Sequence, residues 1–260
     1  MIKKAEIIVT AIELLAVLYV VIRSIRIMRH GNRKLVLALF VFGGVSLLLS
    51  LLYWITFDIM YPDIRMPLAA NEFGEAAGYL FLASSLYELF RDDKRDCRKE
   101  MLCAALYAAA SAGLWIAWSG EWLQDIIGGA AFGYLLVRCA QGLKLSGALG
   151  SRGRDLILMS FIIIAIHTGL FFVPEEAYYP VEYFVYVLMF IVLLGFLYLN
   201  IKAAAKKESM EKKMSLSFSG HTWCMSTMFM TDGVWYLAAN LLVSVFILFM
   251  FNAVRGGDKS

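Results

Sequence analysis

Two ionisable side chains stand inside apolar stretches: Glu13, in Val-Thr-Ala-Ile-Glu-Leu-Leu-Ala, and His167, in Ile-Ile-Ala-Ile-His-Thr-Gly-Leu. At a helical rise of about 1.5 Å per residue, Glu13 lies about 12 Å and His167 about 9 Å from the outer end of its apolar run. An ionisable group at such depth is costly if it faces lipid, so it turns toward an interior or a watered cavity. Glu72, Glu75 and Tyr79 follow one another at helical spacing and share one face. Asp58, Asp125 and Glu182 sit at the ends of other apolar runs. Together Glu13, Asp58, Glu72, Glu75, Asp125, His167 and Glu182 are expected to converge on an outward-facing polar cavity. It would draw a proton, a cation or a cationic small molecule, and His167 would pair with one of the carboxylates. The alternative, for each residue taken alone, is an interfacial charge satisfied by headgroups and water.

No catalytic residue is assigned. A hydrolase needs a nucleophile with its base, or a set of metal ligands. Neither Gly-x-Ser-x-Gly nor a phosphate-binding loop occurs in the chain. His30, His167 and His221 are too far apart for one histidine-rich zinc site. Cys97/Cys103 and His221/Cys224 lack second pairs at metal-binding spacing. A retinal-type Schiff base needs a lysine deep in a helix, and Lys202 closes one instead. No metal and no cofactor are expected.

Hydropathy defines the elements that must position these residues. Of 260 residues, 61% are apolar and mean hydropathy is +0.70, against about 45–50% apolar in soluble globular chains. A hydrocarbon core about 30 Å thick takes about 20 apolar residues as a helix. Eight segments qualify, near 5–28, 34–57, 70–90, 101–119, 122–143, 155–173, 181–202 and 232–253. Each must be helical, because amides in lipid have no water partner and no barrel pattern of strands is present. The expected fold is all-α: a polytopic transmembrane helix bundle of about eight spans, one integral membrane domain over 1–260.

Nineteen of the 24 Lys and Arg residues fall in alternate connectors, around Arg23–Lys34, Arg91–Lys99, Arg138–Arg154 and Lys202–Lys213. The positive-inside rule makes those connectors cytoplasmic and the N-terminus external. With eight spans, both termini lie outside. Lys3 and Lys4 before an apolar run imitate a signal peptide, but Glu6, Glu13 and the following arginines replace its cleavage site. Cys97, Cys103, Cys139 and Cys224 are expected near the reducing cytoplasmic face as free thiols. Trp223, Trp235 and Tyr236 are expected at the inner interface. The stretch 206–231 reads as a basic connector that sets topology, or that lies along the inner leaflet. Ala104, Ala105, Ala108, Ala109 and Ala112, set against Gly128, Gly129 and Gly133 across a short link, predict a tight antiparallel hairpin.

In general plan the chain resembles the membrane-embedded parts of bacterial sensors and small transporters, which implies a bacterial cytoplasmic membrane. The expected partners are the lipid bilayer and a membrane or cytoplasmic protein. No nucleic acid is implied, because the basic residues sit in short connectors. The leading expectation is a non-catalytic membrane sensor or accessory protein with an outward-facing acidic pocket. The alternatives are a small transporter of a cation, proton or cationic small molecule, and a membrane-embedded hydrolase. A transporter needs polar residues along both halves of its path. A sensor needs a closed inner side, and a hydrolase needs His167 within reach of two carboxylates.

Overall fold

The computed structural model describes residues 2–28, 33–60, 70–119, 122–148, 150 and 175–257. Every regular element among them is helical. In chain order these are α1 (Ile2–Met28), α2 (Lys34–Tyr53) with a π-helical continuation (Trp54–Met60), α3 (Ala70–Leu89), α4 (Arg98–Ser119), α5 (Trp122–Leu145), α6 (Glu175–Ala205), α7 (Met210–Met230) and α8 (Gly233–Gly257). Five stretches are long and apolar enough to cross a membrane: Lys4–Met28, Lys34–Phe57, Ile126–Leu145, Val181–Ala205 and Gly233–Arg255. The apolar segment 155–173 lies outside the described residues.

Lipid gives helices no hydrophobic reason to associate, so close approach at small residues does that work. Along α2 and α3, Gly43 abuts Gly78 and Leu82, and Gly74 abuts Ser46 and Ser50. The pairings make the two helices antiparallel. Buried Ser85 Oγ donates to the Val36 carbonyl at 3.1 Å across the same seam. The expected hairpin of α4 and α5 forms as well. A methyl group on Gly129 would lie 3.0 Å from Ala112 Cβ, and one on Gly133 would lie 3.1 Å from Ala108 Cβ. The Lys144–Glu100 ion pair, 2.8 Å, closes the far end of that hairpin. Gly113 and Gly128 face open space and take no part in the seam.

The largest departure from the sequence reading is α7, where a polar connector was expected. Ser209 caps this helix by accepting a hydrogen bond from the Lys212 amide at 3.3 Å. Its 21 residues span about 31 Å at 1.5 Å each. Nearly all of its side chains from Met214 to Cys224 are fully buried, including Ser215, Ser217, His221 and Thr222. The hydroxyls reach back to the carbonyl one turn earlier: Ser215 to Glu211, Ser219 to Ser215, Thr222 to Phe218, Thr227 to Trp223. A hydroxyl bonded within its own helix needs no water, which lets a helix of low hydropathy lie in the core. Helices α2, α4, α5, α6 and α8 all contact it through Phe218, Tyr107, Thr222, Trp223 and Gly220 respectively.

The turn between α6 and α7 carries local strain. Glu208 N donates to Ala203 O and Lys207 N to Ala204 O, a Schellman closure with Lys207 as its left-handed residue, φ +50°. A lysine Cβ is disfavoured there and glycine is not. Lys207→Gly is expected to stabilise the protein by about 0.5–1 kcal/mol, read as a higher midpoint in detergent thermal unfolding.

Helix directions follow from the contacts. Arg33 pairs with Glu211 at 2.8 Å and Phe40 meets Phe218 at 6.0 Å, so α7 runs parallel to α2. Asn200 reaches Leu216 O and Trp223 reaches Met189 O, so α6 runs antiparallel to α7. Tyr236 lies within electrostatic reach of Glu6, and Tyr19 stacks edge-on against Phe251 at 5.6 Å, so α8 runs parallel to α1. An eight-span chain would make the first and last helices antiparallel. The intervening α7 reverses the course of α8. Trp223 and Cys224 therefore lie in the bundle core rather than at an inner interface, and Tyr236 lies at the end where α1 begins.

The basic connectors share the opposite end. Asp92, Arg95, Ser146, Ser209 and Glu211 line a hollow of about 630 Å³ there. Arg95 grips Asp93 through Nε and Nη2, 3.0 and 2.6 Å, and also donates to the Leu145 carbonyl. These bonds hold the exposed Asp93 carboxyl below the usual carboxylate range. A depressed carboxyl contributes order above its unfolded pKa and loses it as pH falls through the folded value. Protection of the Arg95 amide, which donates to Asp93 Oδ1 at 3.1 Å, is expected to collapse on acidification below the ordinary aspartate range. Hydrogen exchange across residues 91–97 measures it, with Asp93→Asn as the pH-insensitive reference.

Candidate functional site

Four helices bring polar side chains together in the half of the bundle away from the basic connectors. From α1 comes Glu13, 7% exposed. From α3 comes Glu75, near enough for the two carboxylates to repel each other. Among the described residues Glu13 has no ion-pair partner. Tyr79, one turn along α3 and itself buried, donates its hydroxyl to Glu75 Oε1. Its ring packs edge-on against Phe132 of α5 at 5.5 Å, which fixes its direction.

From α7 comes Cys224, fully buried and within reach of the Glu13 charge. From α8 comes Tyr236, which lies within electrostatic reach of Glu6, Glu13 and Glu75 and beside the Asn240 side chain. Asn240 is 2% exposed, and its Oδ1 has no partner. His221, 2% exposed and on the same face of α7 as Cys224, leaves Nδ1 without a partner. Buried polar atoms are nearly always paired, and Ser24 Oγ, Arg138 Nε and Ser244 Oγ are orphaned elsewhere in the bundle as well, so the orphans alone do not mark a site.

Of the residues singled out from the sequence, the structure joins Glu13 and Glu75. Glu182 is half-buried and accepts from Tyr186 at 2.8 Å on its own helix, and Tyr186 packs on Trp235 at 6.1 Å. The side chains of Asp58, Glu72 and Asp125, and all of His167, lie outside the described residues. Sequence reasoning missed Cys224 and Tyr236 as members of the cluster, because it placed both at the inner side. The signal that could have found them is Ser209 as an N-cap with acidic Glu211 in the first turn, then Ser and Thr recurring through Thr227.

Among the described residues no group of three or more His, Cys, Asp or Glu is placed to hold a metal ion. The four cysteines are free thiols. Toward the basic end the bundle is filled: Phe40, Leu86, Phe90, Leu143, Met214 and Phe218 are all buried. Among the described residues the polar cluster thus sits above a packed layer in which these apolar side chains alternate with the self-bonded hydroxyls of Ser215, Ser217 and Ser219.

Comparison with protein-family models, with curated proteins and with solved structures finds no match to this chain. Fold and composition define its class: an all-helical integral membrane protein. Its polar cluster lies inside the bundle rather than on a soluble face.

Proposed function

We propose that this chain is a multi-pass membrane sensor or accessory protein whose Glu13–Glu75 pair takes up a proton or a small monovalent cation from the outer side. The single observation that carries the reading is the buried Glu13 carboxylate, which feels the Glu75 charge and has no ion-pair partner among the described residues. A buried carboxylate under the field of a second one is relieved by a proton or a cation. The packed floor of Phe40, Phe218 and Met214 supports binding without passage.

The topology belongs to the same reading. The N-terminus is outside, the basic connectors are cytoplasmic, and α7 is a further crossing beyond the apolar segments. The parallel course of α1 and α8 brings Arg255, in the last turn of α8, to the basic side. That agrees with the positive-inside rule better than an external Arg255 does. A bacterial cytoplasmic membrane suits this layout, and a cytoplasmic or membrane protein partner would receive the signal.

The test pairs binding with flux. In detergent, thermal unfolding is followed across sodium, potassium and choline chloride at constant ionic strength, and across pH. Proteoliposomes carrying an internal pH dye report passage. The reading expects a proton- or cation-dependent midpoint that Glu13→Gln abolishes, with no flux above empty vesicles. Flux that Glu13→Gln removes would establish the transporter alternative. A midpoint indifferent to every cation and to pH would end both.

A further inference from the structure

A second, independent feature lies lower in the bundle, on the groove between α3 and α5. Arg138 enters the sequence as one more basic residue near a connector, but α5 continues to Leu145. Arg138 is therefore about 9 Å deeper than Lys144 at 1.5 Å per residue. Its guanidinium carbon lies 4.6 Å from the centre of the Tyr87 ring on α3 and 4.9 Å from that of Tyr134 on α5. Nη1 donates to Gln141 Oε1 at 2.7 Å, which turns the side chain toward the basic end. Nε is buried and has no partner.

The neighbouring cations are neutralised. Arg91 pairs with Glu88 at 2.8 Å, Lys144 with Glu100 at 2.8 Å, and Arg95 with Asp93 at 2.6 Å. Arg138 has no carboxylate partner among the described residues. An arginine below the headgroup plane needs an anion or a way back to water. Its flat fork, held between two rings, is preorganised for an anion that accepts two parallel N–H bonds. Tyr87 is 43% exposed, so Arg138 sits beside the outer surface of the described helices.

We infer that Arg138, flanked by Tyr87 and Tyr134, seats the phosphate of an anionic lipid headgroup drawn down from the leaflet at the basic end. The tyrosine rings hold the guanidinium plane, and Tyr87 shields the phosphate from the acyl region. Phosphate is the shared chemistry of a lipid headgroup and of free inorganic phosphate. The lipid is assigned because Arg138 lies within the apolar span Ile126–Leu145 beside exposed Tyr87 and does not line the aqueous hollow at Arg95.

Native mass spectrometry of the purified full chain provides the test, after exchange into mixed micelles of phosphatidylglycerol and phosphatidylcholine. Wild type is expected to retain phosphatidylglycerol selectively. Arg138→Gln should lose roughly tenfold in retention, the scale of one charge-assisted contact. Arg138→Lys should fall between, since a point charge lacks the fork. If Arg138→Gln does not give folded protein, photoreactive phosphatidylglycerol on wild type replaces it, and crosslinks are expected in the peptides holding Tyr87 and Tyr134. Equal retention of the two lipids by wild type, unchanged retention in Arg138→Gln, or crosslinks confined to other helices would overturn the assignment. So would displacement of the lipid by millimolar inorganic phosphate, which would mark a soluble anion as the ligand.

Discussion

Gly220→Ala should destabilise the protein by at least about 3 kcal/mol, the upper range for overpacking a rigid core. Gly220 sits midway along α7, and a methyl group there would fall inside the ring of Phe246 on α8. Phe246 is fully buried, and Phe249 lies 6.5 Å away between ring centres. The ring therefore has nowhere to move without shifting the helix. Gly220→Val should fail to give folded protein. Shortening the ring, as in Phe246→Leu, should rescue Gly220→Ala, so the double variant is more stable than the sum of the single effects allows. Thermal unfolding of the four proteins in one detergent measures this coupling. A Gly220→Ala protein as stable as wild type would mean that the segment from Met210 to Met230 is a peripheral connector after all.

Replacing Glu13 with Gln should have the opposite sign. The amide keeps the shape and removes a buried carboxylate that feels the Glu75 charge and has no ion-pair partner among the described residues. The gain should be about 1–3 kcal/mol, the usual penalty of a buried polar group left uncompensated. It should appear only where cations are scarce, because a bound proton or cation relieves the same strain in wild type. Glu75→Gln should gain less, since Tyr79 donates to Glu75. The double variant should gain little beyond Glu13→Gln, because removing either charge removes the repulsion. A stability loss in Glu13→Gln under every salt condition would show that the carboxylate is satisfied in place, and would leave no vacancy for a ligand.

These effects also show what was legible in the residues. Glu13 announced itself by depth in an apolar run, and Glu75 with Tyr79 by helical spacing. Both inferences depend only on local periodicity, and the structure joins these residues. The α4–α5 hairpin was legible because alanine and glycine leave few other ways for two helices to meet. α7 was not. Its Ser, Thr and His residues lower hydropathy below that of a span, and their internal hydrogen bonds become visible only once the helix is formed. That one omission reversed α8 and sent Tyr236 to the end opposite the start of α1. Glu182 was expected at the cavity by its position, and the structure gives its carboxylate a partner one turn away in Tyr186. Arg138 looked like a topology signal because its partners, Tyr87 and Tyr134, carry no charge and leave no mark in a charge count.

Infrared difference spectroscopy of the protein in lipid, recorded on a step in pH or in cation concentration, addresses the central claim most directly. If Glu13 and Glu75 share one positive charge inside the bundle, the step must produce a carboxyl band from a site shielded from water. That band should vanish in Glu13→Gln and shift in Glu75→Gln. A band present and unmoved in both variants, or no carboxyl response at all in wild type, would contradict the account.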